Sequence, residues 1–159
     1  MASGDDRAQI PDDLDGTGLR VAVIRSGWNV EIVDRLGAGV ERGLSALGVS
    51  DVINVLVPGC LELPMACRSV ALSGRVDAIV TIGAVIRGET THYELVSEGA
   101  AEGIQRVQLD TGIPITFGLT TVENAEQAYA RSEGPDGHNV GEEAAVGAVQ
   151  MARIVERFA

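Results

Sequence analysis

The chain of 159 residues contains no lysine: all twelve basic residues are arginine, set against 23 acidic ones, for a formal net charge of −11. Without lysine there is neither a lysine Schiff base nor a P-loop lysine, so two common ways of holding carbonyl compounds and nucleotides are excluded. The acidic balance also argues against a nucleic-acid partner, because phosphate backbones are met by basic surface. Cysteine is scarce. Cys60 and Cys67, seven apart with no second pair, make neither a disulfide framework nor a zinc site and read as reduced, small, buried residues of a cytoplasmic protein. No apolar run approaches the roughly 18 residues of a membrane span. The first residues, MASGDDRAQIPDDLDGTG, lack the basic and apolar regions of a signal peptide, so no membrane contact is expected. GxGxxG, P-loop, HExxH and GxSxG motifs are all absent.

What is present is a globular composition, 45% apolar with 20 glycines, at a length that suits one domain. Residues 1–16, rich in Asp and Gly, read as a flexible acidic arm, and residues 17–159 as the domain. The β-branched run LRVAVIR predicts a strand at 19–25. Apolar residues at helical spacing (Ile32, Val33, Leu36, Val40, Leu44, Leu47) predict a helix over 30–47, stopped by Gly48. Further strands are expected at 52–57, 77–82 and 113–119. Helices are expected at 62–72, 91–110, 123–131 and 141–158, the last burying Val146, Val149, Ile154 and Phe158. Strands alternating with helices predict a parallel sheet covered on both faces. The fold class is therefore a three-layer αβα, flavodoxin-like domain with a four-stranded parallel sheet.

Ligands of such sheets sit beyond the carboxyl ends of the strands, which selects the stretches 26–29, 58–62, 83–92 and 118–124. In GETTH, Gly88 lets backbone approach a ligand, and Thr90 and Thr91 supply hydroxyls. The amides of the following helix turn suit an anion. His92 in that turn is either an exposed helix residue or an imidazole that moves a proton near neutral pH. Trp28 either caps the core or stacks on a flat ring. Glu62 is either an acid favoured by a helix N-terminus or an acceptor for ligand hydroxyls. Arg131 either complements a helix C-terminus or forks onto a phosphate. His138 reads as a loop residue.

Several stretches together carry a resemblance: GTGLRVAVI (16–24), Trp28–Asn29, VPGCLELP (57–64), DAIVTIGAVIRGETTHYELV (77–96), TGIPITFGLTTVENAEQA (111–128) and Arg131. Over residues 14–159 the chain resembles the lumazine synthases of riboflavin biosynthesis. The resemblance implies condensation of 5-amino-6-ribitylaminouracil with 3,4-dihydroxy-2-butanone 4-phosphate to 6,7-dimethyl-8-ribityllumazine, with no metal or organic cofactor. It places His92 on the proton-shuttling histidine and Arg131 on the arginine that holds the phosphate, with Gly88, Glu89 and Thr90 on the phosphate loop. Trp28, with Asn29, matches the aromatic against the pyrimidine. Cys60, Leu61 and Glu62 match the segment along the ribityl chain, and Ala84, Val85 and Ile86 the floor of the pyrimidine pocket. Phe117 matches a residue reaching in from an adjacent subunit.

The family further implies two small-molecule substrates, homopentamers that in some members build a sixty-subunit icosahedral shell, riboflavin synthase as a partner, and an N-terminal segment that adds to a neighbour's sheet. Two features depart from it. Val140 stands where a lysine is common before the last helix, and the break SEGPDGHNVG is one residue longer, as in pentamers that assemble no further. The lost lysine sets up the alternative of a catalytically weak, lumazine synthase-like protein that binds a flavin or lumazine or builds a shell.

Overall fold

The computed structural model describes residues 8–159, so residues 1–7 of the expected arm lie outside the described residues. Four strands, β1 (Arg20–Ser26), β2 (Asp51–Val57), β3 (Ala78–Ile86) and β4 (Ile115–Val122), form one parallel sheet in the order β2-β1-β3-β4. The helices are α1 (Val30–Ala46), α2 (Leu63–Leu72), α3 (His92–Thr111), α4 (Ala125–Ala130) and α5 (Val140–Arg157). A single 3-10 turn, Cys60–Glu62, leads into α2.

The expected three-layer architecture holds. Strand alternation divides the core into two faces. Val21, Val23, Val80 and Ile82 meet α1 and α5, while Ala22, Ile24 and Ile79 meet α2 and α3. The central strand β3 is buried over eight of its nine residues, as a strand covered on both faces must be. Gly48 ends α1 with φ +80°, donating to Ser45 O while Val49 N–H reaches Leu44 O, the left-handed stop expected of it.

Two strands run further than the sequence predicts. β3 continues through Gly83–Ile86, which pair with Leu119–Val122 of β4. Gly83 reads locally as a strand end, but it serves close approach: a Cβ there would lie 2.7 Å from Cys60 Sγ and 2.8 Å from Ser26 Oγ. The loop before α3 is thereby shortened to residues 87–91.

The last helix also departs from expectation. Its buried face is Gly141, Ala144, Ala145, Ala148, Val149 and Ala152, whereas Phe158 is 74% exposed and Val146 and Ile154 are only half-buried. Small residues win because α5 packs tightly on α1. A Cβ at Gly43 would sit 3.0 Å from Ala145 Cβ, so bulkier side chains are turned outward.

Residues 14–17 are anchored to the helices. Gly16 N–H donates to Leu47 O at 2.7 Å, and Arg153 donates to Asp15 O and Thr17 O at 2.8 and 2.9 Å. Among the described residues, nothing N-terminal to β1 joins the sheet of its own chain. The outer edge of β2 is open, with Leu56 71% exposed.

Candidate functional site

The order of strand addition reverses between β1 and β3, which are parallel neighbours, the point where such sheets open a crevice at their carboxyl edge. The loop after β1 and the loop after β3 therefore face one another. Asn29 ties the loop after β1 to the end of β3, its Nδ2 donating to Ala84 O at 3.0 Å from a left-handed backbone (φ +54°). The loop after β2 joins through Gly27 N–H, which donates to Pro58 O at 3.3 Å.

Around this crevice the structure brings together most of the residues selected from sequence. Trp28 is 73% exposed, which removes the core-capping reading. Its ring borders Gly59, where a Cβ would lie 3.4 Å from both the indole Cδ1 and Glu62 Oε2. An exposed flat ring and a carboxylate thus flank a bare patch of backbone. Cys60 lies beneath, beside Ser26 and Gly83. Burial pushes its thiol up from the ordinary range, and the nearby Glu62 carboxylate adds to the effect. Leu61 packs against α3 at Gly99. Ala84 and Val85 are buried and Ile86 half-buried at the end of β3, with Ala84 and Ile86 turned to the α1–α5 face and Val85 to the α2–α3 face.

Residues 87–91 carry the second part of the site. Gly88, Glu89, Thr90 and His92 are all exposed. Thr91 occupies the N-cap of α3 but its hydroxyl caps no amide, while Thr90 Oγ1 accepts from His92 N–H at 3.3 Å. A helix start not closed by its own cap is receptive to an anion, and the imidazole stands in that same turn.

Two selected residues lie elsewhere in the single chain. Phe117 pairs with Thr81 in the middle of the sheet, five residues short of the end of β4. At 3.3 Å per residue that is about 16 Å from the carboxyl edge. It shares a face with Ile115 and Leu119 yet stays 40% exposed. Arg131 follows α4, in the layer of α1 and α5, whereas α3 carries His92 in the opposite layer. Its Nη1 donates to Gln127 O at 3.0 Å, and its carbonyl accepts from Val140 N–H at 2.9 Å.

The break after Arg131 is closed by a bridge between Ser132 and Asn139. His138 there pairs with Glu143 at 3.3 Å. Val140 packs against the α1–α5 core and presents no charge.

Arg87, at the start of this loop, is a residue that the sequence pattern does not single out. It pairs with Glu94 through Nη1, with Glu123 through Nε at 2.8 Å, and lies 4.2 Å over the Tyr93 ring. Its guanidinium holds the Glu94 carboxyl below the usual carboxylate range. The signal in sequence was an arginine seven residues before a glutamate across a helix start, which is weak without the sheet that brings Glu123 alongside.

Among the described residues, no cluster of His, Cys, Asp and Glu has the makings of a metal site, and no helix is long and apolar enough to cross a membrane.

The family comparison and the sequence comparison agree with each other. The family model for 6,7-dimethyl-8-ribityllumazine synthase matches residues 18–156. The chain is 45% identical over 146 residues to the 6,7-dimethyl-8-ribityllumazine synthase of Xanthomonas euvesicatoria pv. vesicatoria, covering 91% of this chain and 94% of that one. It is 42% identical over 158 residues to that of Azoarcus sp. strain BH72 (98% of each), and 46% identical over 130 residues to that of Kineococcus radiotolerans (82% and 79%). Among solved structures, a GDP-L-fucose synthetase from Naegleria fowleri aligns over 96% of this chain and 48% of its own, at TM-score 0.43 and 14% identity, too distant to carry an argument.

Proposed function

This chain belongs to the 6,7-dimethyl-8-ribityllumazine synthase family, and we propose how its carboxyl-edge crevice divides the labour of that reaction. The protein is a transferase of riboflavin biosynthesis. Its reaction joins 5-amino-6-ribitylaminouracil to 3,4-dihydroxy-2-butanone 4-phosphate. The amine comes from the pyrimidine, so a lysine-free chain lacks nothing for imine formation. Phosphate then leaves, and ring closure with loss of water gives the lumazine.

Trp28 stacks on the pyrimidine above the floor of Ala84, Val85 and Ile86, with Asn29 fixing the edge of the pocket. The segment Cys60, Leu61 and Glu62 follows the ribityl chain, with Glu62 accepting from its hydroxyls. Gly88, Glu89 and Thr90 hold the phosphate at the start of α3. His92 accepts and returns the proton that imine formation and phosphate loss require. One observation carries this assignment: an exposed aromatic, a carboxylate and an uncapped helix start with an imidazole stand at the carboxyl ends of neighbouring strands of one sheet.

Arg131 supplies the positive charge for the phosphate and Phe117 closes the pyrimidine pocket, both from a neighbouring copy. In support, Phe117 is exposed about 16 Å short of its own carboxyl edge, and Arg131 lies in the opposite layer from His92. A homopentameric ring satisfies this by a closed heterologous contact. The open edge of β2 then takes the N-terminal segment of a neighbour. The longer break at 132–141 favours a pentamer over the sixty-subunit shell. The enzyme works in the cytoplasm and passes its product to riboflavin synthase.

The test is a product assay. Lumazine absorbance is followed above the spontaneous rate for the wild type, His92→Ala and Arg131→Ala, with the oligomeric state of each determined by light scattering. Both variants lose rate while keeping their assembly, and mixed assemblies of the two regain part of it through shared sites. No recovery on mixing refutes a site built from two copies, and an assembled wild type without activity above background refutes the assignment.

A further inference from the structure

The rim of the phosphate loop is acidic: Glu89 lies within it, Glu94 in the first turn of α3 and Glu123 at the end of β4. A phosphorylated ketone approaching this rim meets carboxylates in a chain of net charge −11. Arg87 stands between two of them. Its backbone N–H is tied to Val122 O at 2.8 Å, its Nε meets Glu123 at 2.8 Å, its Nη1 meets Glu94, and its Cζ lies 4.2 Å from the centre of the Tyr93 ring. The loop of residues 88–91 thus hangs between Arg87 and a helix turn that Arg87 itself grips.

We propose that Arg87 is a positioning and specificity residue for the phosphorylated substrate: it neutralises Glu94 and Glu123 and clips the two ends of the phosphate loop, without being a phosphate ligand itself. The inference rests on the reading of residues 88–92 as the phosphate and proton site. Geometry separates Arg87 from a phosphate ligand, because Nε and Nη1 are already engaged by two carboxylates and one face of the guanidinium is covered by a ring. Its loss leaves two bare carboxylates beside a site for a dianion. The consequence falls on one substrate only, since the ribitylaminouracil carries no phosphate.

The experiment measures KM for each substrate and the inhibition constant of inorganic phosphate, at low and high salt. The proteins are the wild type, Arg87→Gln, Arg87→Lys and the triple variant R87Q/E94Q/E123Q. In R87Q, KM for the phosphorylated ketone and the constant for inorganic phosphate rise about fivefold or more at low ionic strength. KM for the pyrimidine stays put. The ratio of variant to wild type falls toward one near 1 M salt, where the screening length is about 3 Å. R87K, which keeps the charge but loses the fork, retains most of the phosphate affinity. The triple variant, neutral and still hydrogen-bonding, returns close to wild type. Equal rises in both KM values, or a triple variant as impaired as R87Q, overturn the proposal. If inorganic phosphate does not compete with the ketone in the wild type, the phosphate reading of the loop fails and this inference falls with it.

Discussion

Asn139 is the side chain whose removal tests most directly how the fold reaches the site. It is 2% exposed, and its amide makes three bonds across three segments. Oδ1 accepts from Glu142 N–H at 3.0 Å as the N-cap of α5, while Nδ2 donates to Glu133 O at 2.9 Å and to Arg35 O at 3.1 Å. The amide fills a space that exists because residues 39 and 141 are glycine, since a Cβ at Gly39 would collide with it. Asn139→Ala loses a cap worth about 1 kcal/mol and two buried hydrogen bonds worth about 1 kcal/mol each. The total of about 3 kcal/mol corresponds to a fall in Tm of about 6–12 °C for a chain of this size. Asn139→Ser keeps the cap acceptor and recovers about 1 kcal/mol of that loss. Thermal unfolding at fixed protomer concentration reads both, because assembly makes Tm concentration-dependent. Arg131 O is held by Val140 N–H, next to the Ser132–Asn139 bridge. Asn139→Ala therefore also raises KM for the phosphorylated ketone more than for the pyrimidine. A loss below about 1 kcal/mol, or identical behaviour of the Ala and Ser variants, refutes the reasoning.

Three further outcomes follow from the same geometry. Asp77 grips Arg20 through two side-chain bonds and takes its backbone N–H at 2.8 Å, and these bonds hold its carboxyl below the ordinary value. The stabilisation is present above the unfolded pKa of about 3.9 and is lost as pH falls through the depressed folded value. Asp77→Asn therefore costs about 0.5–1 kcal/mol at pH 7, after solvent screening of a partly exposed pair. In urea titrations its deficit must shrink as pH falls below about 3.9; a deficit undiminished in acid contradicts the ion-pair account. Trp28 is the only tryptophan and is 73% exposed, so binding of the ribitylaminouracil quenches or shifts the emission of the whole protein. Unchanged emission at saturating ligand rules out stacking. Burial pushes the Cys67 thiol up to about 12, so at pH 8 a disulfide reagent labels Cys67 slowly in the native protein and rapidly in denaturant; fast native labelling means that the α2–α3 core opens readily.

Much of the fold is legible in local pattern. The alternation of β-branched strands with helices of 3.6-residue period is a short-range property, and the three-layer sheet follows from it. The position of Gly88, Thr90 and His92 between a strand and a helix is equally readable. Other features escape because their causes are distant in sequence. Gly83 looks like a stop until Cys60 and Ser26 are brought against it. The apolar side of α5 is misread from Val146, Ile154 and Phe158, because the partner helix demands small residues.

What the sequence determined by itself is the order of elements, the lysine-free acidic composition and the identity of the loops that follow the carboxyl ends of the strands. These depend on neighbours within a turn or two of chain. Only the tertiary structure decided that the order of strand addition reverses between β1 and β3, that Asn29 reaches Ala84, that Arg87 stands between Glu94 and Glu123, and that Phe117 and Arg131 stand apart from His92. Those are relations between residues up to 55 positions apart in the chain. They are fixed by packing of whole layers, which no local period encodes.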